Sequence, residues 1–214
     1  MVKTRLNPSL PSPAVTALYR CLLEDTIALA RSLTNVETAV MCPEADTEEL
    51  AALLGHAIQI VAQKGDGLAA GLTSVFRHFT ADGRHVIAFN SDSPHLAPSV
   101  LDRAFDILAT HDVVVGPTHD GGYYLVGATC AHPALFESNG MGTRSALDNL
   151  LIRAKDLELS TGFTESFYDI DVADDLIHLV RDLRLAPARA PRTAAWFVEW
   201  ERALAHLFRS LAER

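Results

Sequence analysis

Apolar positions alternate along the chain between helical spacing and short uninterrupted runs, from the first residues to about residue 183. Val15, Leu18, Tyr19, Leu22, Leu23, Thr26 and Leu29 mark one face of a helix over 14–33. The run 36–42 reads as a strand, and 47–54 as a short helix with Asp46 as its N-cap. A second short apolar run covers 57–62, and 68–79 reads as a helix after the Gly65-Asp66-Gly67 turn. The clearest buried strand is 85–89, which stops abruptly at Asn90-Ser91-Asp92-Ser93-Pro94. A helix over 98–109 carries Leu101, Phe105 and Leu108 on one face. Strands follow at 113–115, ending at Gly116-Pro117, and at 123–126, after Gly121-Gly122. Beyond a helix at 143–154 come short strands at 157–159 and 167–170, and then a helix over 173–183. Strands alternating with helices of this length predict an α/β fold with a mainly parallel sheet covered on both faces.

The pattern breaks at 185–192, a Pro/Ala/Arg connector, LAPARAPR. Trp196, Trp200, Leu204, Leu207, Phe208 and Leu211 then form an amphipathic stripe over 193–214. The predicted organisation is one domain over 1–184, a linker over 185–192 and an appended C-terminal helix. That helix either docks on its own domain or forms a homodimer interface, where aromatic residues concentrate.

Composition narrows the class. A chain of 214 residues suits one globular domain, and 49% hydrophobic with 21% charged residues is ordinary for an enzyme. The formal charge of −9 repels a polyanion, which argues against nucleic acid as partner. No apolar run approaches the roughly 20 residues of a membrane span. The opening MVKTRLNPSLPSP has no apolar core of a signal peptide. Cys21, Cys42 and Cys130 are far apart and form no C-x-x-C pair, which favours reduced thiols. The expected setting is cytoplasmic.

Ligands of open α/β sheets bind beyond the carboxyl ends of the strands, so residues just after strand-like runs carry most weight. Asp92 stands in such a turn. Asp171 follows the run 167–170, and Asp169 lies two residues earlier on the same face of an extended segment. Two carboxylates at strand ends suit Mg²⁺ or Mn²⁺ on a diphosphate, because hard cations take oxygen ligands. The same acids could instead cap the next turn and the next helix. Asp120-Gly121-Gly122-Tyr123 could bring backbone close to a ligand with Asp120 as base, or be an ordinary strand-connecting turn. Lys3 and Arg5 could clamp a phosphate, or be idle terminal cations. The nine histidines show no metal-ligand spacing, and His95, His111 and His119 suit structural or solvated roles. The G-x-S-x-G elbow, the P-loop and G-x-G-x-x-G are all absent.

Taken in order, Lys3-Thr-Arg-Leu6, Asp92-Ser-Pro94 with Leu96, HDVVVGPTHDGGYYLVG from His111 to Gly127, and DIDVADDL from Asp169 to Leu176 resemble one bacterial family. It is the GT-A-type family of selenium- or radical-SAM-associated transferases and arsenosugar-biosynthesis glycosyltransferases, within the nucleotide-diphospho-sugar transferase superfamily. The resemblance implies a three-layer α/β/α fold with a nucleotide in the crevice at the strand ends. It implies that Asp92 and Asp171 bind Mg²⁺ or Mn²⁺, that Lys3, Arg5 and Asp92 serve the nucleotide phosphates, and that Asp120 is catalytic. It further implies that Gly121, Gly122 and Tyr123 contact the acceptor or sugar. Family members carry a strand and a Gly-containing loop before K-T-R-L, so the resemblance places that strand outside this chain. Leu68-Ala-Ala-Gly71-Leu72 stands where the family has L-G-x-R-M, and Met141 where it has tryptophan.

The expected function is metal-dependent transfer from a nucleotide-activated donor, as a glycosyltransferase acting on a small molecule. The alternatives are a nucleotidyltransferase that releases pyrophosphate from an NTP, and a non-catalytic binding or assembly subunit of the same fold.

Overall fold

The structure is a computed structural model and describes residues 3–6, 9–137, 143–200 and 205. In chain order these form α1 (Ser12–Arg31), β1 (Ala39–Cys42), α2 (Thr47–Leu54), β2 (Gln59–Ala62), α3 (Gly67–Phe79), β3 (Val86–Phe89) and α4 (Pro98–Leu108). They continue with β4 (Val113–Pro117), β5 (Tyr123–Ala128), α5 (Pro133–Phe136), α6 (Ala146–Asp156), β6 (Thr161–Phe163), α7 (Ala173–Leu185) and α8 (Pro191–Glu199). The chain divides into two compact units. One comprises 1–34, 91–98 and 168–214, and the other 35–90 and 99–167.

The second unit holds the strands. β1 and β2 pair in parallel, and β3-β5-β4-β6 form a four-stranded sheet. In that sheet β4 and β6 are parallel, and β5 runs antiparallel to both β3 and β4. Val113, Val114, Val115, Leu125 and Val126 are almost wholly buried, as β-branched and aliphatic side chains at a sheet centre should be. Phe76 stacks on Phe136 at 5.3 Å between ring centroids, joining α3 to α5 over one sheet face. The run expected to be the most buried strand, β3, is only half-buried. Among the described residues β3 pairs with β5 alone, so its other edge carries no strand. β1 and β3 do not pair, yet α3 packs against both, and Arg84 before β3 meets Glu37 before β1 at 2.5 Å.

Two predicted strands come out differently. Residues 157–159 are a turn, because α6 runs on to Asp156 and Glu158 adopts a left-handed backbone (φ 56) that reverses the chain. The strand follows it, at Thr161–Phe163. Residues 167–170 are extended but contribute a single bridge, Thr118 with Phe167.

The first unit packs α1, α7 and α8 around one core. Val15, Leu18 and Leu22 of α1 bury their side chains against Leu176, Leu179, Leu183, Trp196 and Phe197, each such burial contributing about 1.5–3 kcal/mol. Asp25, on the same face of α1, is buried and accepts hydrogen bonds from the Arg192 and Thr193 amides (3.2 and 2.8 Å) and the Thr193 hydroxyl (2.8 Å). It caps the α8 N-terminus, for which Ala190 offers no side-chain oxygen. The C-terminal helix thus docks within its own unit as far as Glu199. Leu204, Leu207, Phe208 and Leu211 lie outside the described residues. Among the described residues no helix is long and apolar enough to cross a membrane.

Candidate functional site

Four of the predicted site residues meet in the first unit. The chain leaving β3 enters the loop 91–98, and the backbone of 168–171 runs beside it. The Ile170 amide donates to the Asp92 carbonyl at 3.0 Å, and the Ser93 hydroxyl donates to the Tyr168 carbonyl at 3.0 Å. These two bonds hold Asp92 and Asp171 as neighbours although 79 positions separate them in sequence. Below them His95 is fully buried with its ring 4.5 Å from that of Tyr168, whose hydroxyl donates to Asp182 at 2.6 Å. Burial lowers the His95 pKa to about 4, so the ring is neutral at physiological pH. His95 is therefore structural, as its sequence setting suggested.

Lys3 reaches into this pair of acids. Its Nζ lies 2.8 Å from Asp92 Oδ1 and 3.4 Å from Asp171 Oδ1, and it also donates to the Ile170 carbonyl. The Lys3 side chain is 7% exposed and its backbone is left-handed (φ 50), a conformation that costs a non-glycine residue about 1–2 kcal/mol. Arg5, mostly exposed, pairs with the other oxygen of Asp171 at 2.9 Å. Burial pushes the Asp92 carboxyl above the usual range, and the Lys3 ammonium opposes that shift.

The acids of the DIDVADDL segment divide their work. Asp175 Oδ2 accepts from the Asp171 and Val172 amides at 2.8 and 2.7 Å and so caps α7. Asp171, relieved of capping, turns its carboxylate to Lys3 and Arg5. The Ile170 carbonyl is a third oxygen on the same cation, and no side-chain pattern in the sequence marks it. Two carboxylates and a carbonyl converging on one positive atom are the oxygen set that a hard divalent ion takes. Among the described residues there is no cluster of three or more His, Cys, Asp and Glu. An ion here would complete its shell with water or ligand phosphate.

Asp120, Gly121, Gly122 and Tyr123 belong to the second unit and form a self-contained turn. Asp120 Oδ1 accepts from the Thr118 hydroxyl (2.5 Å) and the Gly122 amide (3.2 Å), which holds its carboxyl below the usual range. Gly121 has φ 93, and a Cβ on it would come within 2.1 Å of the Arg144 carbonyl. The group that approaches this glycine is thus the Arg144 backbone, and internal packing accounts for the Gly-Gly pair. Burial pushes the Tyr123 hydroxyl well above its usual range.

The family model described as "Uncharacterized protein conserved in bacteria (DUF2064)" matches residues 26–143, more than half of the chain. No curated protein matches it. Among solved structures, one from Desulfovibrio desulfuricans G20, provisionally described as a nucleotide-diphospho-sugar transferase, is 25% identical. It is matched over 98% of this chain and 91% of its own, with a TM-score of 0.86. Rv0371c from Mycobacterium tuberculosis H37Rv matches at 17% identity over 75% of this chain and 84% of its own, TM-score 0.56, and was also solved in complex with manganese. Molybdopterin-guanine dinucleotide biosynthesis protein A from Archaeoglobus fulgidus matches at 17% identity over 78% and 86%, TM-score 0.52. The fold is that of the nucleotide-diphospho-sugar transferases.

Proposed function

This chain belongs to the DUF2064 family of bacterial proteins, and we propose a function for it from the site itself. The protein is a transferase that draws on a nucleotide-activated donor, in the first instance a nucleotide sugar, and needs Mg²⁺ or Mn²⁺. The observation that carries this reading is the convergence of Asp92 and Asp171 on one cation position, with Lys3 and Arg5 beside them. The likeness to the Desulfovibrio structure supports the donor class, and the manganese complex of Rv0371c supports the choice of ion.

A bound divalent ion would offset the negative charge that builds on the departing diphosphate. Asp92 and Asp171 would hold that ion. Lys3 and Arg5 bind the phosphates, Arg5 from its exposed position and Lys3 from within. Asp120 serves the acceptor side. Its depressed pKa suits it to orient an acceptor hydroxyl by accepting a hydrogen bond more than to carry a proton away. Gly121, Gly122 and Tyr123 shape the same turn. The selenium- and arsenosugar-associated proteins that the motifs resemble set the acceptors to try first, which are small polar metabolites in the cytoplasm.

Calorimetric titration with nucleoside diphosphates, nucleoside triphosphates and nucleotide sugars, with and without Mn²⁺, tests the reading. Mn²⁺-dependent binding of one nucleotide class that disappears in Asp92→Ala is the expected result. No binding by the folded protein would leave a non-catalytic binding subunit as the better account. The presence of two cations at the dicarboxylate also favours a second reading, nucleotidyl transfer from an NTP. Pyrophosphate release in the presence of NTP and acceptor separates the two. The stripe of Leu204, Leu207, Phe208 and Leu211 supports a homodimer, which light scattering checks by mass.

A further inference from the structure

We propose that Lys3 is an exchangeable internal cation, which occupies the dicarboxylate and yields it to a divalent ion when a phosphate-bearing ligand takes up the released ammonium. The inference rests on the reading of Asp92 and Asp171 as metal ligands and concerns how their site is filled. An ammonium has three donors, and Lys3 Nζ has three oxygen partners, Asp92 Oδ1 at 2.8 Å, Asp171 Oδ1 at 3.4 Å and the Ile170 carbonyl. The head group is therefore satisfied where it stands. It sits on the oxygen atoms a metal would need, and two cations cannot share them.

The charges around the pair complete the argument. Two carboxylates face two basic side chains, since Arg5 neutralises the outer oxygen of Asp171. The cluster is thus electrically balanced with no added ion. A divalent ion entering alone must expel a buried ammonium and leave it without a counter-charge, which is unfavourable in a desolvated setting. A ligand that brings its own negative charge removes that cost, because the displaced ammonium pairs with it. The four-carbon stem of lysine gives the head group room to swing without moving the backbone. Ion and phosphate ligand then bind cooperatively, and by linkage each raises the affinity of the other by the same factor.

The ion can be tested by itself, so the outcome does not depend on which nucleotide the protein uses. Mn²⁺ binding is measured by electron paramagnetic resonance for the wild-type chain, Lys3→Met and Lys3→Gln, without nucleotide. Lys3→Met keeps the apolar stem, and Lys3→Gln keeps a donor for the Ile170 carbonyl should the methionine variant fail to fold. Both variants are expected to bind Mn²⁺ about tenfold more tightly than wild type, within the range usual for coupled sites. Pyrophosphate added to the wild type is expected to tighten Mn²⁺ binding beyond its effect in buffer alone, and to do so less in the variants. Equal or weaker Mn²⁺ binding by a folded variant overturns the exchange, as does the absence of Mn²⁺ binding to every form. If the variants gain Mn²⁺ affinity while no nucleotide binds any form, the exchange stands and the transferase reading falls. If nucleotide binds but Lys3 substitution leaves Mn²⁺ affinity unchanged, the reverse holds.

Discussion

Replacing Asp25 by alanine should release the N-terminus of α8 from α1. The carboxylate side chain has no exposed surface and receives three hydrogen bonds, two from backbone amides of the first helical turn and one from the Thr193 hydroxyl, with the Arg192 guanidinium 3.5 Å away. Loss of an N-cap costs about 1 kcal/mol. The buried Thr193 amide and hydroxyl, left without an acceptor, add about 1–3 kcal/mol, since water cannot reach them without opening the helix contact. Arg192 keeps its second partner, Glu24 at 2.8 Å, so its charge adds little. The expected loss is about 3 kcal/mol, which in a domain of this size lowers Tm by roughly 6–12 °C. Trp196 lies on α8 and Trp200 directly follows it, so intrinsic fluorescence during thermal or urea unfolding reports on the affected helix. Asp25→Asn, which retains one acceptor oxygen, should lose about 1 kcal/mol. A loss below about 1 kcal/mol for Asp25→Ala would refute the reasoning and mean that packing of Trp196 and Phe197 alone holds α8.

Other consequences are equally open to measurement. His95 titrates near 6.5 when unfolded and at about 4 when folded, so the unfolded chain binds its proton first as pH falls. Stability should therefore drop by about 3 kcal/mol between pH 6.5 and 4, and His95→Gln should flatten that part of a urea-denaturation profile. Gly121→Ala should cost about 2 kcal/mol or more, because a left-handed backbone and a carbonyl contact both oppose the methyl group; an unchanged Tm would contradict it. Arg5→Ala should change stability by less than about 1 kcal/mol, as for other exposed ion pairs, while weakening nucleotide binding in calorimetry.

The periodic elements were legible from sequence because burial enforces them. The apolar stripe of α1 and the valines of β4 each reach the core they predict. The short helix 47–54 is found at its predicted bounds. The elements misread were governed by single residues or by strand pairing. A left-handed Glu158 moves β6 four positions along, and β3, which among the described residues pairs on one edge alone, is only half-buried despite its apolar run. The acids of the site were legible as candidates because each follows an extended run. Their mutual placement was legible only through the family resemblance, since it depends on two hydrogen bonds between 91–98 and 168–171, one of them from the Ser93 hydroxyl, that leave no compositional trace. Asp175 as the cap of α7 decides which acid of DIDVADDL is free for Lys3, and only the folded chain reveals that choice.

The central claim is that the dicarboxylate of Asp92 and Asp171 is the metal–nucleotide site. Anomalous diffraction from crystals grown with Mn²⁺ and the nucleotide selected by calorimetry tests it most directly. The account predicts a manganese peak within coordination distance of both carboxylates, with Lys3 Nζ moved off them and onto a phosphate oxygen. A peak elsewhere, or nucleotide bound with Lys3 still on Asp92 and Asp171, would contradict it.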